Sequence, residues 1–149
     1  MVDWAGNCIY SQYVRPTEPV TDYRTSVSGI LPKHLVTALP FTEVQKHVSS
    51  VLHGKILVGH GLRNDLKALL LTHPWTHIRD TAAYRPYCRP SKDGHMKPRR
   101  LVHLVQEYLG VDIQNGSHDP AEDARAALAL YKLKRREWER SLLNSKAKK

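Results

Sequence analysis

Cysteine is scarce in this chain. Cys8 and Cys88 are its only two, far apart in sequence, so there is no disulfide framework, and this usage suits a reducing compartment. Long apolar runs are missing as well: nothing approaches the roughly 20 consecutive apolar residues that a membrane-crossing helix needs, and a soluble chain without a membrane partner is expected. The Met1 end lacks a basic region followed by an apolar segment, so no secretory leader is read there. Nine histidines are present, yet no pair of them with a cysteine has the ligand spacing of a structural zinc site, and they are read as scattered surface and loop residues.

Acidic residues are outnumbered by basic ones, giving a formal charge of +9, and the excess is unevenly placed. Residues 132–149 carry eight basic and two acidic side chains, residues 79–100 carry seven basic and two acidic, and the remainder is slightly acidic. Two basic blocks, one interleaved with Tyr84 and Tyr87, point to a polyanionic partner such as RNA or DNA. A solvated helix end with a disordered tail accounts for the last few residues equally well. At 149 residues and 41% hydrophobic, the chain fits one domain over residues 1–140, followed by a basic, disordered tail at 141–149.

Along the chain, residues 3–7 (DWAGN) are turn chemistry and residues 8–14 read as a strand with partial alternation. A turn implies a strand on each side, but only Met1 and Val2 precede this one, so the chain as given is expected to lack an N-terminal portion; a frayed terminus is the competing reading. Pro16 and Pro19 end the strand, and residues 21–30 are read as a loop closed by Gly29. Pro32 begins a short helix over 31–39 that Pro40 stops. Phe41, Val44, Val48, Val51 and Leu52 then share one helical face up to Gly54. Residues 55–59 read as a buried parallel strand opening into 60–64, and the helix that follows has Asn64 as candidate cap and Leu66, Leu69 and Leu70 on its inner side. A strand at 77–80 and an amphipathic helix at 100–109, stopped by Gly110, complete the series. This order predicts an α/β fold: a mixed sheet that begins in antiparallel strands and continues through helical crossovers.

The stretch at 117–130, SHDPAEDARAALAL, is the chemical focus. Pro120 suits a first helical position, Asp119 ahead of it is a plausible N-cap, and the alanine-rich run is strongly helix-forming. Asp123 then lies in the first turn, where exposed N–H groups favour an anion, with His118 on the loop before it. The residues admit two readings: an ordinary capped helix start, or a carboxylate that holds a divalent ion beside an imidazole that takes a proton from water. Asp65, just past the 55–59 strand, is a second carboxylate at a helix start, and in sheets of this kind active sites gather where strands end. If the fold brings Asp65 and Asp123 together, a divalent cation is needed to offset their repulsion.

GKILVGHGLRNDLKALL followed by IRDT and SHDPAEDARAALALY resembles the second and third motifs of the DEDDh (DnaQ-like) 3′→5′ exonucleases, which have an RNase H-like fold. The upstream run QYVRPTEPVTDYRTSVSGI is similar to the eukaryotic branch of RNA exonuclease 4 and the interferon-stimulated exonucleases, and the likeness runs from Asp3 to about Trp138. It implies Asp65 and Asp123 as metal-binding acids and His118 as general base. It also implies two divalent ions, Mg²⁺ or Mn²⁺, about 4 Å apart across a phosphodiester. Thr25, Ser28, Gly29 and Ile30 resemble the family segment near the substrate's 3′ end, and His60 and Asn64 are assigned to substrate on the same basis. Asp80 matches a recurrent family aspartate outside the metal set and is given a structural role.

One motif of the family is missing. Its first, an Asp-x-Glu on the first strand, supplies two of the four acids, and no such sequence occurs near this N-terminus; Asp3 aligns with the hairpin turn instead. The fold is therefore expected to be RNase H-like without its first strand, poorly stable, and weakly active or inactive. The resemblance implies a 3′→5′ exonuclease of RNA, with single-stranded DNA left open, working in RNA or rRNA processing in the nucleus or nucleolus. A non-catalytic RNA-binding remnant is the alternative.

Overall fold

The computed structural model of the chain describes residues 1–113 and 119–146. Its elements, in order, are β1 (Val14–Arg15), α1 (Thr25–Ser28), α2 (Pro32–Val36), β2 (Leu39–Pro40), α3 (Phe41–Leu52), β3 (Leu57–Gly59), α4 (Leu62–Ala68), β4 (Ile78–Asp80), β5 (Arg89–Pro90), β6 (Met96–Lys97), α5 (Leu101–Leu109) and α6 (Pro120–Lys146). This is the expected α/β class.

The strands form three separate pairs: β1 parallel to β2, β3 parallel to β4, and β5 antiparallel to β6. Among the described residues no strand joins β1–β2 to β3–β4, so each pair keeps unpaired edges, in keeping with an RNase H-like sheet that lacks its first strand. The opening antiparallel hairpin shrinks to a single bridge between Val2 and Cys8, closed by Asp3 N donating to the Asn7 carbonyl at 2.9 Å and Gly6 N to the Asp3 carbonyl at 3.0 Å. Residues 8–14 are therefore mostly extended chain without a ladder. The Met1 amino group donates to the Tyr10 carbonyl at 2.5 Å. The turn itself is docked on α6, where Arg125 Nε donates to the Gly6 carbonyl at 2.8 Å and Lys132 donates to that of Trp4 while lying over its indole ring.

Apolar burial is divided between two clusters. Val44, Val48 and Leu52, four residues apart along α3, pack with Tyr10, Val14, Leu57, Leu69 and Leu71. Leu101, Leu104 and Val105 of α5 face Ala126, Ala127, Leu130, Tyr131 and Trp138 of α6, with Tyr84 and Tyr87 between them. Neighbouring residues of β3 point to opposite faces, Leu57 into the first cluster and Val58 into the second, so this three-residue strand is the seam of the molecule. Tyr84 stacks on Trp138 with ring centroids 3.8 Å apart, and the fully buried Tyr87 donates its hydroxyl to the Leu130 carbonyl at 2.8 Å. Each large apolar side chain buried this way contributes roughly 1.5–3 kcal/mol.

Other boundaries shift for local reasons. The 21–30 loop contains the one-turn helix α1, ended by Gly29 in the left-handed region at φ 68°. Leu70 turns outward at φ 50° and is 75% exposed, whereas Leu69 packs inward. Helix α6 runs to Lys146, and Leu142 packs on the α5–α6 cluster.

Candidate active site

The site is built where the parallel pair β3–β4 ends. Gly59 closes β3 and the chain turns at Gly61, whose φ of 78° suits glycine, into α4. The cap of α4 comes from the neighbouring strand rather than from Asn64: Asp80 Oδ1 accepts from Gly61 N at 2.8 Å and Oδ2 from Leu62 N at 3.0 Å, while Ala82 N also donates to Oδ1. Asn64 is an exposed residue inside the first turn. Asp80 thus has the structural role assigned to it, binding the end of β4 to the start of α4.

His60 sits in this turn, half-buried, with Nδ1 2.9 Å from Thr81 Oγ1. The Thr81 hydroxyl gives its only proton to the Gly59 carbonyl at 2.9 Å, so it accepts from His60, which fixes the Nδ1–H tautomer. Burial holds the imidazole below its ordinary pKa, opposed by the charges of Asp80 and Asp123 and by the Arg99 carbonyl. The ring lies within electrostatic reach of two carboxylates from different elements.

Asp65 is in the first turn of α4 and Asp123 in the first turn of α6, whose start at Pro120 is capped by Asp119 Oδ1 accepting from Ala121 N at 2.9 Å. Partial loss of water raises the Asp65 carboxyl above its usual value, and the charge of Asp80 adds to the shift. Helix α6 packs on β3, which brings its start toward the strand ends. Asp65, Asp80, His60 and Asp123 thus form a chain of electrostatic neighbours. His118 lies outside the described residues.

The remaining expected substrate residues form a self-contained loop. Thr25 Oγ1 donates to the Ile30 carbonyl and Ser28 Oγ to that of Tyr23, both at 2.7 Å, while Ile30 N donates to Ser28 Oγ and Gly29 N to the Thr25 carbonyl. These bonds shape the loop and commit the hydroxyl protons of Thr25 and Ser28.

Among the described residues, no three of His, Cys, Asp or Glu form a group able to hold a metal ion. Two carboxylates suit one hydrated divalent ion that draws further oxygens from phosphate, but they do not make a two-ion centre.

The Exonuclease family model matches residues 3–131. The chain belongs to the exonuclease family. It is 46% identical over 147 residues to RNA exonuclease 4 of Mus musculus, covering 99% of this chain and 33% of that protein, and 47% identical over 139 residues to the Homo sapiens protein, covering 93% and 32%. It therefore spans about a third of the length of these two relatives. Among solved structures, the Neurospora crassa Pan2 catalytic unit superposes with a TM-score of 0.77 at 25% identity, covering 94% of this chain and 23% of that one. The Saccharomyces cerevisiae Pan2 module in complex with A7 RNA gives 0.71 at 34% identity, covering 89% and 22%. This exonuclease chain thus has the RNase H-like fold that its motifs implied.

Two features of the site escaped the sequence reading. The Thr81 link between Gly59 and His60 was signalled only by a polar pair, Asp80–Thr81, at the end of β4. The other is the concave shape that part of the basic 79–100 block takes between the β5–β6 hairpin and α5, a hollow of about 420 Å³ lined by Arg89, Pro98, Arg99, Arg100, His103 and Glu107.

Proposed function

We propose that this chain carries the RNA-end site of a 3′→5′ exoribonuclease, in which Asp65 and Asp123 serve a divalent ion, Mg²⁺ or Mn²⁺, and His118 takes the proton of the attacking water. The observation that carries this reading is the convergence of Asp65, Asp80, His60 and Asp123 at the ends of β3 and β4, in a chain of the exonuclease family. Such an ion would supply charge neutralisation at phosphate. Among the chain's own residues, His60, held at Nδ1 by Thr81, borders the substrate end, and the Thr25–Ile30 loop forms part of the wall near the 3′ terminus.

The family's Asp-x-Glu acids do not occur in this sequence, so the 149-residue chain binds RNA better than it hydrolyses it. A role in RNA or rRNA processing in the nucleus or nucleolus is part of the proposal and rests on the RNA exonuclease 4 likeness. Single-stranded DNA is a second substrate to test.

The test is prolonged incubation of excess chain with 5′-labelled single-stranded RNA and Mn²⁺, beside Asp123→Ala and His118→Ala. Slow shortening from the 3′ end, lost in both variants, supports the reading. Internal cuts, or shortening indifferent to both substitutions, contradict it.

A further inference from the structure

The basic hollow beside the strand ends is built from three parts of the chain. Arg89 comes from β5, Pro98 to Arg100 from the link to α5, and His103 and Glu107 from one face of α5, four residues apart. Arg99 is held in a two-point ion pair with Glu107 and is thereby fixed as a wall. Arg89 and Arg100 are exposed, and neither is paired with an acid among the described residues. The hollow thus keeps two unneutralised guanidinium groups, which is unfavourable in isolation and suits a ligand with repeated negative charge. Its position adds a constraint: the Arg99 carbonyl, at the hollow's edge, is close enough to act on the His60 imidazole, so the hollow lies near the turn between β3 and α4.

We propose that this hollow binds backbone phosphates of a single-stranded RNA a few nucleotides before its 3′ end, with Arg89 and Arg100 as the phosphate contacts, and so delivers the terminus to the β3–β4 strand ends. This rests on the RNA-end reading above and adds the path of the strand to it. The contact is to phosphate, so it is indifferent to base sequence and acts alike on single-stranded DNA. It needs no metal and no turnover. Arg99 plays a positioning part, aligned by Glu107.

The test is fluorescence anisotropy of the 149-residue chain with a 5′-labelled, 12-nucleotide single-stranded RNA in chelator, across a salt series. The Arg89→Ala/Arg100→Ala variant is compared with Lys33→Ala/Lys46→Ala, which removes the same charge from exposed positions of α2 and α3. Circular dichroism of each variant establishes that it is folded, and Arg89→Lys/Arg100→Lys separates loss of charge from loss of the guanidinium fork. The expected result is an affinity loss of about tenfold or more for the double arginine variant, with the log–log salt slope shallower by about 1.4, since each single-strand phosphate contact contributes about 0.7. The lysine control is expected to change affinity by less than about threefold. Equal losses in both alanine variants, or none in either, overturn the assignment while leaving RNA binding intact. A wild-type chain that binds no RNA overturns the RNA-end reading and this inference with it.

Discussion

Gly59 illustrates how closely the site is packed at the level of single residues. A Cβ built there would lie 2.4 Å from Leu62 Cδ2 and 2.9 Å from its Cγ, and Leu62 is itself buried under the start of α4. Gly59→Ala is therefore expected to destabilise the chain by roughly 1–3 kcal/mol through overpacking. Urea midpoints check this, and the loss in Gly59→Ala/Leu62→Ala should be smaller than the sum of the two single losses. Asp80 is the second such position, because its carboxylate accepts three backbone N–H bonds at the joint of two elements. Asp80→Ala is expected to cost about 2 kcal/mol, at the upper end for a helix cap, and Asp80→Asn less. Equal midpoints for wild type and Asp80→Ala would contradict the capping role.

Elements are tied together by polar groups as much as by apolar faces. Arg79 on β4 is 5% exposed and bonds Glu139 of α6 through Nε at 2.6 Å and Nη2 at 2.8 Å, with Tyr131 donating to the same carboxylate at 2.8 Å. Hydrogen bonding from Arg79 holds the Glu139 carboxyl below its ordinary 4.5, and the network also raises Arg79. A depressed folded-state pKa means that the unfolded chain binds the proton more readily. The stabilisation is thus complete above pH 4.5 and is lost as pH falls below it through the depressed value. Thermal melts should show wild type losing stability in that range, and Glu139→Gln showing less of this dependence. At pH 7, Glu139→Ala should cost roughly 3 kcal/mol, since it leaves Arg79 buried without its partner.

At this scale it is also clear what the sequence makes legible. The α3, α5 and α6 helices are visible because their apolar residues recur on one face and proline or glycine marks their ends, which are local signals. Asp65, Asp123 and the start of α6 are legible for the same reason. The true cap of α4 is not, because Asp80 stands 18 residues from Leu62 and reaches it only through the parallel pairing of β3 with β4. The β5–β6 hairpin is hidden among charged residues with no apolar alternation, so the basic hollow it forms with α5 is invisible until the fold places them side by side.

For the whole molecule, the division into two clusters joined along β3 matters most. The site stands on that seam, drawing Asp65 from α4, His60 and Asp80 from the strand ends, and Asp123 from α6. Short strand pairs with free edges hold the halves together, so the positions of the two acids depend on packing of α6 against β3 rather than on a continuous sheet. Under the proposed function, a chain organised in this way keeps a basic surface for RNA while Asp65 and Asp123 supply part of a metal centre. The most direct measurement of that claim is the stoichiometry of Mn²⁺ bound to the 149-residue chain, by calorimetry or electron paramagnetic resonance with RNA present. The account predicts at most one weakly held ion per chain, lost in Asp65→Ala and in Asp123→Ala. Two ions per chain, or one whose binding is indifferent to both substitutions, would contradict it.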